Sequence, residues 1–167
     1  MKKAKPTAPN DVPEGTTELG EQINWFRITL KISSEKLVPK TITEIFNYEP
    51  DDSQQSGRPI LRDDGSIKRI PKFGAWKLVC RPKDTDEWDC CEAALELMRK
   101  LPSDKNIWKS LAEKYYVQIL FGLSFESSNV EFYFSNEFHK FVGERGINTS
   151  FDIYHEVEDD NKLVLGG

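Results

Sequence analysis

Asn24-Trp25-Phe26-Arg27-Ile28-Thr29-Leu30-Lys31-Ile32 alternates apolar and polar side chains over the length of a strand. Phe26, Ile28, Leu30 and Ile32 fall on one side, Arg27, Thr29 and Lys31 on the other. That period of two marks a strand with one face in a core and one face toward water. The rest of the chain must supply neighbours for this strand and a cover for its apolar face.

Further along, Trp76-Lys77-Leu78-Val79-Cys80 repeats the alternation, with Trp76, Leu78 and Cys80 on one side. Tyr116 to Phe125 is long, aromatic and β-branched, and predicts a central strand. Ser127-Ser128-Asn129 predicts a turn, with Val130 to Phe134 as the antiparallel partner. Ile147 to Val157 predicts the last strand.

Helical spacing supplies the cover. Pro39 suits a first helical turn, and Ile42, Ile45 and Phe46 then share a face before Pro50. Thr85 or Asp86 is expected to cap a second helix with Trp88, Cys91, Leu95 and Met98 as its apolar stripe, ended by Pro102. Ser103 or Asp104 caps a third with Ile107, Trp108 and Leu111. Ser135 caps a fourth with Phe138, Phe141 and Val142, ending around Gly143 to Gly146. The order predicts an α+β domain with a single, mainly antiparallel sheet covered by helices.

Three regions fall outside that pattern. Residues 1–22 hold Pro6, Pro9 and Pro13 and little that can be buried, so a flexible N-terminal extension is expected. The domain spans 23–158, and 159–167 read as a loose tail. Residues 51–74 form a long polar connection. Asp64-Gly65 inside it resembles a hairpin turn, and a loop of this length is usually functional or disordered.

The 167 residues carry 23 Lys and Arg against 28 Asp and Glu, a net charge of −5. Nucleic-acid binders and anionic-membrane binders normally show a basic excess, so neither partner is expected. No apolar run approaches the ~18 residues of a membrane helix, and the basic N-terminus lacks the apolar segment of a secretory signal. Cys80, Cys90 and Cys91 are odd in number, with no CxxC pair. Reduced cysteines packed as small hydrophobes in a cytoplasmic protein are expected.

Chemistry is thinly written. His139 and His155 lack the local partners of a metal site, so neither metal nor cofactor is expected. No nucleophile elbow or phosphate-cradling loop occurs. Strand alternation places Asp152, Tyr154 and Glu156 on one face and Phe151, Ile153 and His155 on the other. A carboxylate beside a tyrosine on an open face is either an acid–base site or a surface hydrogen-bonded pair. Glu156, Glu158, Asp159 and Asp160 read as a solvated end or as a docking patch for a basic protein. Arg58, Arg62, Lys68, Arg69 and Lys72, diluted by Asp63 and Asp64, read as a solvated loop or as a nucleic-acid contact.

Several of these pieces arrive in a familiar order: Ile42-Thr43-Glu44-Ile45-Phe46 followed by Tyr48-Glu49-Pro50, then Gly57-Arg58-Pro59, Gly74-Ala75-Trp76-Lys77-Leu78 and the closing Ser150-Phe151-Asp152-Ile153-Tyr154. The chain from about residue 25 to 157 resembles the bacterial domain-of-unknown-function 4279 family. Gly57, Pro59, Trp76, Asp152 and Tyr154 match its pattern, whereas Phe46-Asn47-Tyr48 replaces its Leu-Gly pair and Ser150 stands where a second Asp is common. The resemblance implies a small cytoplasmic protein, similar in some members to immunity proteins that neutralise toxins, and it carries over no catalytic residue. The leading expectation is therefore a non-enzymatic inhibitor that binds a basic toxin domain through Asp152, Tyr154, Glu156, Glu158 and Asp159. The alternatives are an enzyme using Asp152 and Tyr154 on a small substrate, or an accessory inhibitor of a defence complex.

Overall fold

The computed structural model describes residues 25–81, 89–125 and 133–155. The extension at 1–22, the tail at 159–167 and the acidic residues Glu156, Glu158 and Asp159 lie outside them.

In chain order the elements are β1 (Trp25–Ser34), α1 (Pro39–Phe46), β2 (Asp52–Gln54), β3 (Ile60–Leu61), β4 (Ile67–Arg69), β5 (Gly74–Cys80), α2 (Cys90–Arg99), α3 (Lys105–Lys114), β6 (Tyr116–Phe125), α4 (Asn136–Gly143) and β7 (Asn148–His155). Five strands form one sheet in the order β2-β5-β1-β6-β7, and β3 and β4 form a separate two-stranded sheet. β5 and β6 flank β1 antiparallel, β2 is antiparallel to β5, and β7 is parallel to β6.

The domain is thus α+β, but the sheet is mixed and is not the only one. The chain leaves β6 and returns through α4 before β7, and such a crossover lets the two strands run the same way. Both edges of β6 are taken, by β1 and β7. The antiparallel strand expected at Val130–Phe134 lies mostly outside the described residues.

All four helices contribute to one core cluster with Phe26, Ile28, Leu30 and Ile32 of β1 and Val117, Ile119, Phe121 and Leu123 of β6. Phe46 of α1 sits edge-on to Trp76 at 5.3 Å and against Trp108 at 4.8 Å. Phe121 meets Phe138 of α4 at 5.6 Å and Phe151 at 5.7 Å. Both indoles buried among the described residues keep a partner: Trp76 Nε1 donates to Thr43 Oγ1 and Trp108 Nε1 to the Pro102 carbonyl, as burial requires.

Local signals hold at most helix ends. Asp104 and Ser135 cap α3 and α4, and Asn47, left-handed at φ 50°, closes α1. Helix α2 begins later than Thr85 or Asp86 would place it. Its cap is Asp89, whose carboxylate accepts from the Cys91 and Glu92 amides. Cys91, Leu95 and Met98 are buried as the stripe requires, while Ile45 of α1 is 40% exposed despite its spacing. Gly74 admits no side chain, because a Cβ there would lie 2.1 Å from the Leu37 carbonyl oxygen.

Candidate functional site

The residues that alternate with the core positions form the opposite face of the sheet. None of them belongs to the core cluster, to which all four helices contribute. Strand register arranges that face in rows. One row runs Asp52, Lys77, Lys31, Gln118, Asn148 from β2 to β7; the next has Val79, Thr29, Leu120 and Ser150. Beyond these, Arg81 follows Cys80 at the end of β5, and Arg27, Gly122 and Asp152 stand in register on β1, β6 and β7. Trp25, Ser124 and Tyr154 complete the face.

The β2-β5-β1 side is concave, with a volume of about 730 Å³ and a lining that includes Arg27, Lys31, Lys77 and Arg81. Lys77 pairs with Asp52 at 2.6 Å. The Asp51 carboxylate accepts the Val79 amide at 2.6 Å. Arg27, Lys31 and Arg81 form no ion pair among the described residues; the Arg27 guanidinium lies 5.8 Å from the Trp25 ring centre. The alternation on β1 already turned Arg27 and Lys31 outward. Nothing in the one-dimensional pattern set them against Lys77 and Arg81, because that depends on register.

The β6–β7 side holds the sequence-derived pair. The Tyr154 hydroxyl donates to the Asp152 carboxylate. That bond, with a smaller contribution from desolvation, raises the phenol above its ordinary pKa, while Arg27 across Gly122 acts the other way. Phe151 and Ile153 face the helix side, as alternation requires, and Phe151 packs on Phe121 and Phe134.

The family-pattern residues separate. Trp76 is a core anchor with no exposure. Gly57 takes φ +73° and donates its amide to the Pro71 carbonyl, so it is a turn residue. Pro59 lies at the base of the β3–β4 hairpin and is exposed.

That hairpin is built by its own bonds. Gly65 adopts φ +80°, the Arg62 amide donates to the Ser66 carbonyl, and Asp64 accepts from the Ser66 amide and hydroxyl. Those bonds hold the Asp64 carboxyl below its ordinary pKa. Arg69 donates to the Gln54 side chain at 2.7 Å, and Ser56 to the Lys72 carbonyl at 2.9 Å, which tie the arm to the domain. Yet Leu61, Ile67, Ile70 and Phe73 are 58%, 55%, 56% and 50% exposed. Around them stand Arg58, Arg62, Lys68, Arg69 and Lys72 against Asp63 and Asp64.

Among the described residues no three His, Cys, Asp or Glu side chains are placed to hold a metal ion. His139 lies on α4 with its Nδ1 3.2 Å from the Ser135 carbonyl; the side chain of His155 is outside those described. The three cysteines are free thiols, Cys90 and Cys91 buried. A hydrogen bond to Cys91, then burial, raises the Cys90 thiol well above its ordinary pKa, so it is no nucleophile at neutral pH. No described helix is long and apolar enough to cross a membrane.

The chain belongs to the family described as Domain of unknown function (DUF4279), whose model matches residues 22–156. No curated protein and no solved structure matches it.

Proposed function

We propose that the chain is an inhibitor-type binding module, with a toxin domain as the expected class of partner, and that the β3–β4 arm is its docking element. The observation that supports this is the arm itself. A lone two-stranded hairpin is marginal in water, and this one is held by side-chain bonds while leaving four large apolar residues half exposed. Such a surface adds little to folding and suits a partner that buries it.

Charge refines the partner. A basic partner was expected from Asp152, Glu156, Glu158 and Asp159, of which only Asp152 is described. The arm carries five cations and two carboxylates in a chain of net charge −5, so the patch it meets should be apolar with an acidic rim. The enzyme reading through Asp152 and Tyr154 is weaker: both are exposed, and a phenol whose proton is held more firmly than usual is a poor acid near neutral pH.

Co-expression with toxin domains encoded beside the gene, read by co-purification and residual toxin activity, tests the proposal. A complex is expected, weakened at least about tenfold by Leu61→Ser combined with Ile67→Ser, the scale of losing apolar anchors. No complex, or one indifferent to both substitutions, would overturn it.

A further inference from the structure

The open sheet face contains an arrangement that folding does not explain. Lys31 and Lys77 stand directly opposite each other on β1 and β5. One pair beyond Thr29 and Val79, at the end of the ladder, Arg27 and Arg81 line the same hollow. Like charges in cross-strand register oppose pairing. Only Lys77 has a carboxylate partner, Asp52, among the described residues. Asp51 also lines the hollow, with one oxygen engaged by the Val79 amide.

We propose that this hollow is a binding site for an organic phosphate bearing two phosphate groups or a phosphate chain, one end held between Arg27 and Arg81 and the other between Lys31 and Lys77. The Arg27–Arg81 end presents two cations without an ion pair among the described residues; at the other end Lys31 stands opposite Lys77, whose charge is shared with Asp52. A phosphate near neutral pH carries about −1.5 to −2 charges and matches two cations, whereas a carboxylate matches one. The two ends are about 13 Å apart at the backbone, four residues of strand rise, and all four side chains line the one hollow. Thr29 lies between them with its side chain in the floor, and Val79 and Leu120 flank it with apolar surface for the organic part. The volume of about 730 Å³ lies within the ordinary range for small-molecule sites, about 300–1,000 Å³. The site is separate from the arm and does not depend on the arm's partner.

Titration calorimetry on the full chain, at fixed ionic strength, tests it with three probes: adenosine triphosphate, inorganic tripolyphosphate and a hexaglutamate peptide. Saturable binding of the phosphates at one site is expected. It should weaken roughly tenfold or more in Arg27→Gln and in Lys31→Gln, the scale of one charge-assisted hydrogen bond, and stay unchanged in Lys109→Gln on α3. Unfolding curves of the variants establish that each is folded. Absence of saturable phosphate binding, equal weakening by Lys109→Gln, or tighter binding of the glutamate peptide would each overturn the assignment.

Discussion

The two faces of the five-stranded sheet are made by the same strands and follow opposite rules. On the helix side, β1 contributes Phe26, Ile28, Leu30 and Ile32, every one nearly without exposure. On the other side the same strand contributes Arg27, Thr29 and Lys31, and Lys31 faces Lys77 on the neighbouring strand. The first face is optimised for burial, where each removed methylene matters. The second sets like charges opposite each other and leaves only Lys77 of that pair with a carboxylate partner among the described residues.

That contrast can be broken by stability measurements. The largest effect should come from the covered face. Trp108→Ala should cost about 3–5 kcal/mol, since it empties a site against Phe46 and leaves the Pro102 carbonyl without its indole partner. Urea unfolding measures this. A loss below about 1 kcal/mol would mean that the helix layer contributes far less than its packing indicates.

The open face should behave in the reverse sense. Lys31→Gln relieves the like-charge pair with Lys77, so stability should hold or rise by about 0.2–1 kcal/mol, with the larger gain at low salt. A loss of more than about 1 kcal/mol would show that these cations stabilise the sheet, and the distinction between the faces would fail.

The smallest effect concerns the far end of the open face. Asp152 accepts a hydrogen bond from the Tyr154 hydroxyl, so the folded-state phenol pKa lies above its unfolded value of about 10. The associated stability is fully present below pH ~10 and is lost as pH rises through the folded value. A tyrosinate absorbance titration should show one phenol, absent in Tyr154→Phe, ionising late, and Asp152→Asn should bring it back toward the ordinary range. An unshifted phenol in the unaltered protein would separate these two side chains in solution.

Much of the fold was legible. The strands at Trp25–Ser34, Gly74–Cys80 and Tyr116–Phe125, the caps Asp104 and Ser135, and the Asp64-Gly65 turn all follow from patterns a few residues long. Asp152 and Tyr154 were correctly assigned to one face, since alternation alone decides that. Other features escaped, among them the edge strand β2 inside the polar connection and the exposure of Ile45. The parallel run of β7 depends on which edge the chain reaches after α4. The start of α2 passed from Thr85 or Asp86 to Asp89, because several cap-forming residues lie close together and spacing does not choose among them.

The linear order of residues settled which face of each element would be apolar, because periods of 2 and 3.6 are local properties of backbone geometry. It also settled the net charge and the absence of any short catalytic signature. Strand neighbours and register were left to the folded chain. Whether Lys31 meets Lys77, and whether Arg27 looks across a glycine toward Asp152, depends on side chains more than forty residues apart being brought within one or two strand spacings. Contacts of that kind arise from packing the whole sheet under its helices, and no local pattern encodes them.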